Sequence, residues 1–139
     1  MGFTYADITL VNAGDMEVAA SGLMPMESVR MFDVRAFVDS GASSLVIGKN
    51  TKEQLGLRVL RTTIGELADG SRATCEVVGP VEIRFKNRAT TCDALVLSDV
   101  NEVLLGVIPI EGMDVIIDPL KEELTLPPDR QNIARYYIK

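Results

Sequence analysis

A single aspartate stands between two apolar runs in the stretch AFVDSGASSLVI, residues 36–47. Phe37 and Val38 lead up to Asp39, and the small residues that follow it give way to the apolar segment Leu45–Ile47. An unpaired charge is expensive in such an apolar setting. The fold must therefore give the Asp39 carboxylate hydrogen-bond donors or a partner group.

Strand-like segments surround this stretch along most of the chain. Alternating segments rich in β-branched residues predict strands at YADITLVN, VRMFDVRAFVD, ATTCDALVL and EVLLGVIP. The long arms around ADGS predict a hairpin, because Asp-Gly between such arms is a strong turn signal, and MDVIIDP with ELTL predicts another. KNTKEQLGL is the one helix candidate, with Asn50 or Thr51 as its N-cap and Gly56 at its end. The pattern predicts one compact β-rich domain over residues 1–139.

Composition argues against several classes of partner and location. The formal net charge of −6 argues against nucleic acid, because a surface that binds phosphates needs clustered Lys and Arg. No apolar run approaches the length of a membrane span, and the N-terminus lacks the pattern of a secretory signal. We therefore expect no membrane partner and a cytoplasmic location, where Cys75 and Cys92 would remain reduced.

The chain contains no histidine, which restricts the chemistry that it can carry. Ser-His-Asp and Cys-His nucleophile systems are excluded. A zinc site is not expected, since only two thiols are available, and the aspartates show no metal-ligand spacing. We expect neither a metal nor a cofactor, so carboxylates or a lysine must carry any catalysis.

The tripeptide Asp39-Ser40-Gly41 is a weak signal when it is taken alone. It is also typical of an Asp-initiated turn, in which the carboxylate accepts hydrogen bonds from nearby backbone amides. DSGASS further resembles a phosphorylation-dependent degradation signal, but those signals act in flexible segments and this one lies between strand-like runs. The wider context has to decide between these interpretations.

Three motifs occur in a fixed order along the chain. They are Phe37-Val38-Asp39-Ser40-Gly41-Ala42, the hairpin around Asp69-Gly70, and Leu104-Leu105-Gly106. In this order they resemble the retropepsin-like (clan AA) aspartic proteases, most of all the small bacterial single-domain members, which share endings like GVIPIEGMDVIIDP. The resemblance implies an all-β fold of the retropepsin-like acid protease type. Such a fold is a closed, barrel-like single lobe with a flap hairpin and one short helix, here a core of about residues 3–127 with a tail at 128–139.

Aspartic-protease chemistry needs a second carboxylate. Two carboxylates at short range share one proton, because like charges so close cannot both ionise. The chain has one Asp-Ser-Gly, and a two-lobed enzyme of this kind would be about twice as long. We therefore predict a homodimer in which Asp39 of each subunit meets on a two-fold axis and activates a water that cleaves an extended peptide. Activity is expected at acidic to mildly acidic pH.

The resemblance also implies a role for each motif residue. Asp39 would be the catalytic acid and base, Ser40 would bridge the two turns across the dimer axis, and Gly41 would let its amide approach the carboxylates. The hairpin tip would close over the peptide as a lid. The residues expected to bind substrate are Ala42, Ser43, Leu67, Ala68, Asp69, Gly70, Ser71, Leu104, Leu105, Gly106 and Val107. For Leu104 and Leu105, plain packing in the core is the alternative expectation.

Two departures from the family pattern bear on this interpretation. The hairpin tip is polar here, whereas retropepsin flap tips are typically rich in glycine and apolar residues. Pro109 follows the later glycine, so any helix there is short. Retroviral enzymes often carry a charged anchor residue on the helix at this place, and Asp114 is not assigned that role. A rival interpretation is a catalytically weak or inactive module of the same fold that binds peptides or dimerises.

Overall fold

The computed structural model describes residues 3–138 and is built mainly of strands. The strands are β1 (Thr4–Asn12), β2 (Met31–Val38), β3 (Leu45–Ile47), β4 (Arg58–Glu66), β5 (Arg72–Phe85), β6 (Arg88–Val96), β7 (Leu104–Leu105), β8 (Ile116–Asp118) and β9 (Glu123–Thr125). The helices are α1 (Ala13–Ala20), α2 (Lys49–Leu55) and α3 (Val107–Gly112), with one 3₁₀ turn at Met26–Ser28.

Six strands close into a ring around the core. Their order is β5-β6-β3-β7-β2-β1, and β1 pairs again with β5 to close it. The long strand β5 allows closure, because its first part pairs with β4 and its later part, residues 81–84, pairs with β1. The largest fully buried side chains include Leu10, Leu45, Ile47, Leu55, Ile83, Leu105 and Met113. The predicted all-β, barrel-like single lobe is confirmed.

Both predicted hairpins are present. β4 and β5 form the long hairpin around Asp69-Gly70, and β8 and β9 form the shorter one near the C-terminal end. The predicted helix is α2, which ends as expected at Gly56 in the left-handed conformation (φ +62°). Its N-cap is Gly48, one residue before the helix and not Asn50 or Thr51.

The sequence predicted one helix, and residues 3–138 contain two more short α-helices. α1 begins where the Asn12 side chain accepts a hydrogen bond from the Asp15 amide (3.0 Å). Its sequence lacks the apolar periodicity by which helices are recognised. α3 contains Pro109 in its first turn, where a missing N–H costs no hydrogen bond. No helix among the described residues is long and apolar enough to cross a bilayer.

The tail after β9 is fixed by a charged cluster around Asp114. Arg130 donates two hydrogen bonds to the Asp114 carboxylate (2.7 and 2.9 Å), and the Arg135 amide donates a third (3.0 Å). The Arg130 side chain, above all, lowers the pKa of Asp114 to about 2. The Tyr136 hydroxyl adds a hydrogen bond to the Gly112 carbonyl (2.7 Å). Through residue 138 the tail therefore lies against the end of α3 without forming a strand or helix.

Candidate active site

Asp39 lies in a tight turn directly after β2. Its amide donates to the Leu105 carbonyl (3.0 Å), and its own carbonyl accepts from the Ala42 amide (3.1 Å). Its carboxylate oxygen Oδ1 accepts a hydrogen bond from the Gly41 amide (2.9 Å). Ser40 and Gly41 are exposed at the apex of the turn. The backbone thus supplies Asp39 with a donor and leaves one side of the turn open.

Gly106 allows the segment after this turn to pass close to β7. A Cβ atom on Gly106 would lie 2.4 Å from the Ser44 carbonyl oxygen and 2.6 Å from that of Ala42. The next two amides, Val107 and Ile108, donate to the carbonyls of Ala42 and Ser43 (both 2.9 Å). The pairing of β7 with both β2 and β3 extends this contact. Gly106 is therefore required for the close backbone approach that holds the Asp39 turn.

The tip of the β4–β5 hairpin is closed by its own polar groups. The Ser71 amide and hydroxyl both donate to Asp69 Oδ1 (2.9 and 2.6 Å). The Leu67 amide donates a hydrogen bond to the Ser71 carbonyl (2.8 Å), and Gly70 adopts φ +84°. The hydrogen bonds from Ser71 lower the pKa of Asp69. The polar residues of the tip therefore stabilise the turn itself.

A groove of about 330 Å³ lies between the Asp39 turn and this hairpin. Its walls combine small residues of the turn with aliphatic residues of β3, β4 and β6. The lining residues are Gly41, Ala42, Ser43, Ser44, Val46, Ile64, Gly65, Glu66, Leu67, Cys75, Leu95 and Leu97. A groove with such walls suits an extended chain with aliphatic side chains.

The predicted site residues fall into three places in the structure. Gly41, Ala42, Ser43 and Leu67 line the groove. The tip residues Ala68, Asp69, Gly70 and Ser71 are exposed, as is Ser40 on the turn. Leu104, Leu105, Gly106 and Val107 lie behind the turn and do not line the groove.

Leu105 differs most from its predicted role. Its side chain has 0% exposure and packs in the core, so in this structure it supports the Asp39 turn from behind. Most of the groove wall was not predicted from the sequence, including Ser44, Ile64, Cys75 and Leu95. Strand alternation indicates which side chains share a face, but the wall forms only after four strands, β3 to β6, have paired in register.

The charged groups at this site are carboxylates. Among the described residues, no cluster of three or more Cys, Asp or Glu side chains is arranged to hold a metal ion. Glu66 is the charged residue of the groove wall, but its side chain is 64% exposed and pairs with Arg72 (3.5 Å). Asp39 does not itself line the groove, but Gly41 of the same turn does, so the backbone fixes the Asp39 carboxylate beside the groove.

A closed β ring, an Asp-Ser-Gly turn held against a buried glycine, and a flap hairpin over a groove together define the retropepsin-like fold. The chain is similar to the crystal structure of the retroviral protease-like domain of Ddi1 from Leishmania major, with a TM-score of 0.56 and 20% sequence identity. The match covers 92% of this chain and 90% of that domain, which shows a shared fold.

The family assignment comes from the sequence. The family described as aspartyl protease matches residues 31–108, which is more than half of the chain and includes both Asp39 and Gly106. The chain therefore belongs to the aspartyl protease family, and the predicted resemblance to retropepsin-like enzymes is confirmed. No curated protein matches the sequence significantly.

Proposed function

We propose that the protein is a homodimeric aspartic endopeptidase whose catalytic centre combines Asp39 from two subunits. The observation that carries this proposal is the Asp39 turn, in which the Gly41 amide binds the carboxylate beside the groove while Ser40 and Gly41 stay exposed. Each chain has a single Asp-Ser-Gly, so a second copy is the source of the second carboxylate. The open side of the turn is where that copy would contact it.

The reaction follows from two carboxylates that hold one proton between them. The ionised carboxylate takes a proton from a water molecule, whose oxygen attacks the scissile carbonyl carbon. The protonated carboxylate donates a hydrogen bond to the carbonyl oxygen and stabilises the tetrahedral intermediate. Proton transfer to the leaving nitrogen then breaks the C–N bond and restores the pair. The requirement for one shared proton places the activity at about pH 3 to 6.

The groove supports an extended peptide as substrate. Val46, Ile64, Leu95 and Leu97 give it aliphatic walls, which favours apolar residues next to the cleaved bond. The exposed tip around Asp69 and Gly70 would close over the bound peptide as a lid. Its closed polar turn would move as one unit, since Ser71 ties Asp69 to the strand that follows.

We place the protein in the reducing environment of the cytoplasm. Cys75 and Cys92 are both free thiols in the structure. Burial, with a smaller contribution from Asp93, raises the pKa of Cys92 to about 11. A protonated, partly buried thiol is slow to oxidise, which agrees with a structural cysteine in a reducing compartment.

Replacing Asp39 with Asn tests the catalytic proposal. Asn has the same shape, so the turn should fold, but it cannot take the proton from water. Cleavage of a peptide library at pH 4 should fall by at least about a thousandfold. Asp7→Asn, which changes an exposed carboxylate on β1, should leave the rate unchanged.

Dilution tests the two-subunit centre. The rate per subunit should fall once the protein concentration drops below the dissociation constant of the dimer. Undiminished cleavage by a folded Asp39→Asn protein, or a rate per subunit that is independent of dilution, would contradict the proposal. Peptide binding without turnover by the wild type would favour the rival binding module.

A further inference from the structure

A second cavity continues the groove beneath the flap hairpin. It has a volume of about 270 Å³. Ser44, Ile64 and Leu95 line both cavities, so the two adjoin each other, and together we call them the trough. The second part of the trough differs in chemistry from the first, because Arg61 and Asp93 are in its wall.

Arg61 and Asp93 form a loose ion pair at this far end. Nη2 of Arg61 donates to Oδ2 of Asp93 over 3.4 Å, which is long for a charged hydrogen bond. The Arg61 side chain is 62% exposed and that of Asp93 is 38% exposed. A guanidinium has five N–H donors, and this single contact leaves most of them free to bind another acceptor.

A strand irregularity next to each of these two residues determines the direction of its side chain. The β4–β5 register shifts between Val59 and Arg61, and such a bulge changes the direction of the side chains next to it. Arg61 then pairs with Val77, which in turn pairs with Leu95, so the three form one row across the sheet.

Asp93 lies at a second irregularity. The β5–β6 register shifts between Val78 and Val81, opposite Asp93. A Cβ atom on Gly79 would lie 3.1 Å from Asp93 Oδ1, so the absence of a side chain there leaves room for the carboxylate. Asp93 is thus packed against the backbone, whereas Arg61 reaches over the trough from the flap strand.

We propose that Arg61, oriented by Asp93, binds an acidic side chain of the peptide substrate at a fixed distance from the cleaved bond. This inference rests on the proposed function and names its substrate class: peptides with aliphatic residues at the cut and a Glu or Asp farther along. A guanidinium held on one side by Asp93 can donate to a substrate carboxylate on the other. The two-fold axis repeats the site, so the acidic preference appears at equal distances on both sides of the cut.

A peptide scan tests this inference. One Glu, Gln or Lys is moved along an otherwise neutral peptide with aliphatic residues at the cut, and kcat/KM is measured with the full-length protein at pH 6, where a free Glu is ionised. At one position on each side of the cut, kcat/KM of the Glu peptide should exceed that of the Gln peptide by about three- to tenfold. Salt should reduce this ratio, because the contact is partly exposed.

Variants assign the preference to Arg61. Arg61→Gln should abolish the Glu-over-Gln ratio, chiefly by slowing cleavage of the Glu peptide. Arg58→Gln removes the same charge from the same strand but outside the trough, and it should keep the ratio. Asp93→Asn should reduce the ratio without abolishing it, since Arg61 would remain but lose its orienting partner.

Binding to the Asp39→Asn protein separates this inference from the proposed catalysis. Fluorescence anisotropy with the same labelled peptides should show the same Glu preference and the same loss in the Asp39→Asn, Arg61→Gln double variant. If no peptide is cleaved but the binding preference is present, the catalytic proposal fails and this inference stands. A preference for Lys, equal binding of Glu and Gln, or a Glu preference that survives Arg61→Gln would overturn the inference.

Discussion

Replacing Gly106 with Ala should both destabilise the fold and displace the Asp39 turn. The added Cβ would lie 2.4 and 2.6 Å from the carbonyl oxygens of Ser44 and Ala42, and 2.8 Å from the Ser44 nitrogen. All three are backbone atoms, which cannot rotate away as the end of a side chain can. Gly106 has φ −92°, a conformation open to alanine, so the whole effect is steric.

The expected magnitude follows from the cost of overpacking. Extra methyl groups in a tightly packed site typically cost about 1–3 kcal/mol of unfolding free energy. Because the new methyl group would contact three backbone atoms, we expect Gly106→Ala to cost about 3 kcal/mol. With a urea dependence of about 2 kcal/mol per molar, the unfolding midpoint should fall by about 1.5 M. Urea unfolding followed by circular dichroism measures this shift.

Gly48→Ala is the matched control. A Cβ on Gly48 would lie 2.1 Å from the Val100 carbonyl oxygen, also a backbone clash, but Gly48 does not line the groove. Both variants should lose stability, and Gly106→Ala alone should also lose cleavage per folded molecule, because its clash moves Ala42 and Ser44. A Gly106→Ala protein whose midpoint lies within about 0.3 M of the wild type would refute the reasoning.

Two further predictions concern stability. The pKa of Asp114 is lowered from 3.8 to about 2, so its carboxylate stabilises the fold above about pH 4, and this stabilisation is lost as the pH falls through 2. Asp114→Asn should therefore lower the urea midpoint at pH 6. At pH 2 the midpoint of this variant should differ little from that of the wild type. A difference that does not shrink on acidification would contradict this linkage. Leu105→Ala should cost about 2–5 kcal/mol because the side chain is fully buried, whereas Leu120→Ala, at 94% exposure, should change the unfolding free energy by less than about 0.5 kcal/mol. Equal effects of the two leucine changes in the same denaturation assay would contradict the assignment of Leu105 to the core.

Local signals in the sequence predicted the elements with strong turn chemistry. Asp-Gly at residues 69–70 marked the flap hairpin, and Gly56 marked the end of α2. α1 was missed because its residues show no apolar stripe, although Asn12 is an ordinary N-cap. α3 was expected to be at most short because of Pro109, and it is a helix of 6 residues.

The site was predictable only where it lies on one continuous segment. Asp39, Gly41 and Ala42 follow each other in the chain, so their turn could be inferred from residue types alone. The family resemblance left Leu105 open to a place on the pocket wall or in the core, and the pairing of β7 between β2 and β3 directs its side chain into the core. Arg61 and Asp93 are separated by 31 intervening residues and carry no motif, so their contact was not predictable.

The sequence by itself determined the family, the position of the Asp-Ser-Gly motif that carries the proposed catalytic carboxylate, and the turns between strands, because each depends on the local conformational preferences of neighbouring residues. Only the tertiary structure decided how the ring closes, which side chains form the trough, and that Leu105 faces inward. These features depend on pairing register between distant strands, and a shift of one residue would move every side chain of a strand to the opposite face.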